Sequence, residues 1–187
     1  QQRLLGSDVE RRSHPTASEE ASSERDPQGG VLVPLPNGNF ESGAVIWSEI
    51  SLNGWNLILH YTELQQGVLP HAGNWATWLG GDLDEIGYIE QRVTVPVGDP
   101  VLKYWHWINS EDECGYDFAG VIVNTATVVE SYDLCWEKDT AGWVLHAVDM
   151  AAYAGETLNL QIRVETDDQL ISSLFVDDVT FESDASA

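Results

Sequence analysis

The sequence predicts an all-β fold, an antiparallel two-sheet β-sandwich over residues 31–187 preceded by an extended N-terminal arm over 1–30. Three observations predict it. About ten short runs of alternating or continuous apolar character follow one another, each bounded by Gly, Pro, Asn or Asp. Helical spacing is confined to one turn, DMAAYAG at 149–155, closed by Gly155. Eight Trp, six Tyr and four Phe supply large groups for a core between two sheets.

In chain order, residues 1–30 are rich in Ser, Glu, Arg and Gly, and alone they bury too little to offset their ordering entropy. Their apolar cluster is Leu4 and Leu5, with Val9 beyond. VLVPLP (31–36) is a strand interrupted by prolines, which assigns it to a sheet edge. NGNFESG (37–43) is a turn carrying Phe40 as a core anchor. WNLILHY (55–61) and NWATWL (74–79) are strands, followed by an acidic loop, DLDE (82–85). YIEQRVTV (88–95) alternates and stops at Pro96. VLKYWHWIN (101–109) puts Leu102, Tyr104, His106 and Ile108 on one face, and Val101, Lys103, Trp105 and Trp107 on the other. EDECGYD (111–117) is an acidic turn. Strands at 118–124 and 127–132 are joined through Asn124-Thr125, and another strand covers 142–148.

TLNLQIRVE (157–165) alternates cleanly and, after a polar turn, reads as the first arm of a closing hairpin with SLFVDDVTFE (173–182). Asp177 and Asp178 interrupt the apolar run of the second arm. At least one of them must face inward or lie at an edge, where a bare carboxylate is costly. A hard cation held by oxygens removes that cost.

Charge narrows the partners. The formal charge is −23. The arm holds four cations against six acids, net −2, and the body four against twenty-five, net −21. So acidic a body does not hold nucleic acid by phosphate neutralisation, and no apolar run is long enough to span a membrane. Divalent cations and basic partners suit it. Gln1 rather than Met opens the chain, which fits a secreted protein whose leader has been removed. Cys114 and Cys135 have no CxxC partners and are too few for a zinc cluster. Secretion makes them a disulfide; in a reducing compartment they are two buried thiols.

Catalytic signatures are missing. The sequence has no GxSxG, HExxH, P-loop or dinucleotide fingerprint, and its five His are scattered. Neighbouring acids on one strand point to opposite faces, so Asp177-Asp178 is not an acid/base pair. The expectation is a non-catalytic protein.

The NGNFE opening, WATWLGG, EQRVTVPVG, CGYDFAGVIVN, DMAAYAGETLNLQIRV and the closing SSLFVDDVTF together resemble bacterial secreted jelly-roll modules, of the galactose-binding-like, carbohydrate-binding-module and MAM-type kinds. The resemblance covers roughly residues 31–183 and leaves the arm without a counterpart. It implies a jelly roll with a structural Ca2+ held by Glu41 of NGNFE and Asp177 of FVDDV. Because Ca2+ takes about six to eight oxygens, backbone carbonyls near Asn39 or Asn74 are needed to complete the set. The alternative for Glu41 and Asp177 is a pair of solvent-facing acids.

Two functions follow as expectations. The first is a structural or adhesive extracellular protein that associates with copies of itself, the arm supplying Leu4, Leu5, Arg11 and Arg12 to the acidic body of a neighbour. The alternative for the arm is a linker. The second function is a carbohydrate-binding module that grips polysaccharide through Trp105 and Trp107. Against it, the same Trp side chains fill space between packed layers.

Overall fold

A computed structural model describes residues 31–183. The expected arm, with Leu4, Leu5, Arg11 and Arg12, lies outside the described residues. Eleven strands follow: β1 (Val31–Pro34), β2 (Ser48–Ser51), β3 (Ile58–His60), β4 (Trp75–Gly80), β5 (Ile86–Thr94), β6 (Val101–Ser110), β7 (Phe118–Val123), β8 (Thr127–Asp133), β9 (Val144–Asp149), β10 (Thr157–Glu165) and β11 (Ser172–Ser183). Two single 3-10 turns, Trp136–Lys138 and Ala151–Tyr153, are the helical elements among the described residues.

The strands form two antiparallel sheets. One runs β3-β4-β11-β6-β9, with β1 also on β11; the other runs β2-β5-β10-β7-β8. The period-two strands pair where alternation gives each a wet and a dry side. Leu158, Leu160, Ile162 and Val164 of β10 meet Leu102, Tyr104, Ile108, Leu174, Val176 and Phe181 in one core, with Phe40 sealed among them. Asn124 and Thr125, at φ 51° and 70°, make the tight turn between β7 and β8.

Two readings of the sequence change. The segments 157–165 and 173–182 are not a hairpin: β10 pairs with β5 and β7 in one sheet, while β11 pairs with β4, β6 and β1 in the other. The connecting turn crosses the sandwich. Alternation reports a wet face and a dry face but not which strand is the neighbour. The strand expected over 55–61 shrinks to β3, and Ser48–Ser51 pairs with β5 as an unforeseen edge strand.

β11 is central and buried on both sides. Leu174 and Val176 face the core, whereas Phe175 points outward. There it joins Leu64, Val68 and Ala76 in a second apolar cluster against Leu59, Trp78, Trp107 and Trp143. The 61–74 connection thus covers part of the outer face of that sheet.

Candidate functional site

Three places gather chemistry, beginning at the break in β11. Its first half pairs with β4 through Val176 and its last residues pair with β1 from Thr180. Between them the register slips, and Asp178 takes φ 50°. Gly38 occupies the gap, its carbonyl accepting Val179 N–H at 2.8 Å. Asp177 is fully buried. Ala72 N–H donates to its Oδ2 at 3.2 Å, and burial, then the Asp178 charge, pushes its pKa up to about 7. Asn74 and Trp75 N–H groups donate to Glu41 Oε1 at 2.8 and 2.9 Å. Gly73, at φ +63°, makes that approach possible, because a Cβ there would lie 2.3 Å from the same oxygen. One short segment therefore contacts both carboxylates. Asn39 Oδ1 accepts the Glu41 N–H at 3.4 Å, and the Asn74 carbonyl accepts Tyr61 N–H. The side chains gathered here offer oxygens, the ligand type of a hard cation, and both Asp177 oxygens already accept backbone N–H groups, Oδ1 from Asp178 at 2.8 Å.

Beside this break lies the Trp face. His71 Nδ1 lies 2.6 Å from Asp178 Oδ2, and its ring stacks on Trp105 at 4.0 Å and 14°. Trp143 packs edge-on against both His71 and Trp107, and its Nε1–H donates to the Leu69 carbonyl. Trp105 and Trp107 are half-buried. The Trp105 ring face that meets His71 is already occupied.

The opposite sheet presents an open groove of about 350 Å³ on its outer face. The register builds it. Tyr88, Arg163, Gly120 and Ser131 lie in one row across β5, β10, β7 and β8. Gly120 contributes no side chain, which leaves a trough between Phe118 and Ile122, and a Cβ there would meet the Glu130 carbonyl at 2.3 Å. Arg163 lines the trough with its guanidinium 5.7 Å from the Tyr88 ring and 2.6 Å from Glu165 Oε1. Alongside, Gln161 donates to Glu90 Oε2 at 2.6 Å. Arg163 Nε and Gln161 Oε1 have no hydrogen-bond partner. Phe118 and Val128 supply exposed apolar surface at the rim. The sequence reading missed this groove. Its one signal was Arg163, one of only four cations in the body, placed on the wet face of β10.

At the end of the sandwich where β7 begins, Cys114 and Cys135 form a disulfide. It ties the β6–β7 loop to the 3-10 turn that follows β8.

The comparisons with known proteins bear first on the fold. No protein-family model matches the chain. A 132-residue stretch, 64% of the chain, is 26% identical to pre-pro-metalloprotease PrtV of Vibrio cholerae and spans 14% of that protein's length. Among solved structures, the carbohydrate-binding module TmCBM61, in complex with β-1,4-galactotriose, superposes with a TM-score of 0.53. It is 18% identical, and the match covers 79% of this chain and 95% of that one. A cleaved adhesin domain of Lys-gingipain from Porphyromonas gingivalis gives 0.58 at 16% identity, over 80% and 99% of the two chains. The chain is a jelly-roll β-sandwich. The same jelly roll also superposes on a Stig cyclase from Fischerella sp. TAU, with a TM-score of 0.51 at 13% identity, over 82% and 97% of the chains. At these identities the likeness fixes the fold of the jelly roll and leaves its ligand to the site.

Proposed function

We propose that this jelly roll is an extracellular, non-catalytic module that binds polysaccharide in the groove across β10, β7 and β8. The supporting observation is the row Tyr88–Arg163–Gly120–Ser131. It places a planar cationic fork and an aromatic ring beside a trough with apolar walls. Sugars combine apolar C–H faces with dense hydroxyls. They take an apolar wall together with polar side chains at its edge, here Arg163, Glu130, Ser131 and Glu165, which line the groove beside Phe118, Ile122 and Val128. The groove fits this better than the Trp105–Trp107 face, where His71 covers a stacking surface. A carbohydrate-binding module and an adhesin domain among the structural neighbours add support, as does the disulfide for an oxidising compartment.

In this reading Glu41 and Asp177 hold a structural Ca2+ that neutralises the sealed carboxylate, with oxygens near Asn39 and Asn74 completing the set. Assembly through residues 1–30 is a second proposition, carried by the contrast between a nearly neutral arm and a body at −21.

The test is retention on a panel of soluble and insoluble polysaccharides that includes β-1,4-galactan. Arg163→Ala and Phe118→Ala are expected to abolish retention while keeping the wild-type melting temperature, and Trp105→Ala to keep retention. Failure of the wild type on every glycan, or undiminished retention by Arg163→Ala, overturns the groove.

A further inference from the structure

Three aspartates from two loops converge at the disulfide end of the sandwich. Asp112 and Asp117 come from the β6–β7 loop and Asp167 from the β10–β11 connection. One oxygen of each lies within 4.8 Å of the others. Each carboxylate is held by a backbone N–H: Glu113 to Asp112 Oδ1 at 2.7 Å, Asp167 to Asp117 Oδ1 at 2.7 Å, and Gln169 to Asp167 Oδ1 at 2.8 Å. The remaining oxygens of the two deepest residues are unanswered. Asp112 is 4% exposed and Asp117 0%, yet neither Oδ2 has a hydrogen-bond partner. The ion pairs of the described residues lie elsewhere.

An ionised carboxylate with a sealed, empty oxygen is costly, and two like charges beside it add to the cost. The surrounding backbone is tied in place. The Asp112 carbonyl accepts Trp136 N–H, the Asp117 carbonyl accepts Leu134 N–H, and the Cys114–Cys135 bridge joins the same two segments. The three carboxylates are therefore presented toward one another by a clamped frame.

We propose that Asp112, Asp117 and Asp167 bind a second divalent cation of the Ca2+ class, which staples the β6–β7 loop to the β10–β11 connection. The donors are hard oxygens with no thiol or imidazole among them, which selects against zinc and copper. Ca2+–O distances of about 2.3–2.6 Å let oxygens on opposite sides of one ion stand roughly 4.6–5.2 Å apart, which accommodates the spacing here. Asp167 is half-buried, so the ion enters and keeps water from that side. The site is independent of both the glycan groove and the Glu41–Asp177 pair, which draw on other residues.

The experiment counts ions on the full chain by calorimetric titration with CaCl2, and with MgCl2 as the competing probe. In a Glu41→Gln background, which removes the other pair's contribution, one Ca2+ is expected to remain. Adding Asp167→Asn is expected to remove that ion or weaken it at least tenfold, with an unchanged near-ultraviolet circular dichroism spectrum. Asp167 is chosen because Asp117→Asn touches a fully buried position and can unfold the loop. No Ca2+ bound by Glu41→Gln, or a stoichiometry and affinity unmoved by Asp167→Asn in folded protein, overturns the proposal. If Asp167→Asn removes an ion and Glu41→Gln does not, this site stands and the Glu41–Asp177 reading falls.

Discussion

Asp177 shows how one side chain records a conflict between burial and charge. Its strand is central and sealed on both faces, so the carboxylate has little water to fall back on. Replacing it by Asn, or Glu41 by Gln, is expected to lower the stabilisation that Ca2+ confers, which at one hundred times the dissociation constant is about 2.7 kcal/mol per site. Melting curves with CaCl2 and with chelator read it, and identical increments in wild type and variants refute the assignment. His106 gives a prediction of opposite chemistry. Burial, with help from His146, lowers its pKa from 6.5 to about 4, among Tyr104, Tyr132, His146 and Glu130. Below pH 6.5 the unfolded chain takes up a proton that the folded one refuses until about pH 4. Stability present above 6.5 is therefore lost as the pH falls through that window, by up to about 3 kcal/mol. Urea titrations of wild type and His106→Gln should converge between pH 7 and 4.5; parallel curves would contradict the assignment.

At the scale of elements, the β7–β8 pair carries the groove, and Gly120 lets it form. Gly120→Ala forces a Cβ against the Glu130 carbonyl and should cost about 1–3 kcal/mol, read as a lower denaturant midpoint at unchanged slope. An unshifted midpoint would mean that the two strands separate freely. The disulfide closes a separation of 21 residues, worth roughly 3 kcal/mol in the chain-entropy model. Reduction should lower the melting temperature by roughly 6–12 °C. Two titratable thiols in unreduced native protein would refute the bridge. The limits of sequence reading also show at this scale. β5, β6 and β10 stand close to where alternation put them, because the residues of each alternate between more and less buried positions along most of its length. β2 escaped notice because Ser48, Glu49 and Ser51 give an edge strand almost no apolar signal. The supposed hairpin failed because pairing partners are chosen by the opposing sheet, not by the pattern within a strand.

For the whole molecule, the governing quantity is a body at net −21. Copies of it repel at low salt, so association needs cations or a segment with positive charge. Deleting residues 1–30 should leave a monomer with the wild-type melting temperature, because the core from Leu35 and Phe40 onward lies in the body. If full-length and shortened chains scatter light with equal mass across salt and Ca2+, residues 1–30 are a linker and the assembly proposition is wrong.

The sequence by itself determined the class of fold, the two faces of the main strands and the edge position of β1. It also marked Cys114 and Cys135 as a candidate pair, and Asp177-Asp178 as acids out of place. These are local properties: a period of two, a proline, a charge inside an apolar run. Tertiary structure alone decided that β10 and β11 lie in different sheets. It also decided that His71 covers Trp105, that Gly120 opens a groove beside Arg163, and that Asp112, Asp117 and Asp167 face one another. Each of those depends on residues dozens of positions apart being brought into register by strand pairing. A side chain's value as a ligand is set by which neighbours leave its polar atoms unanswered, and no stretch of sequence contains that information.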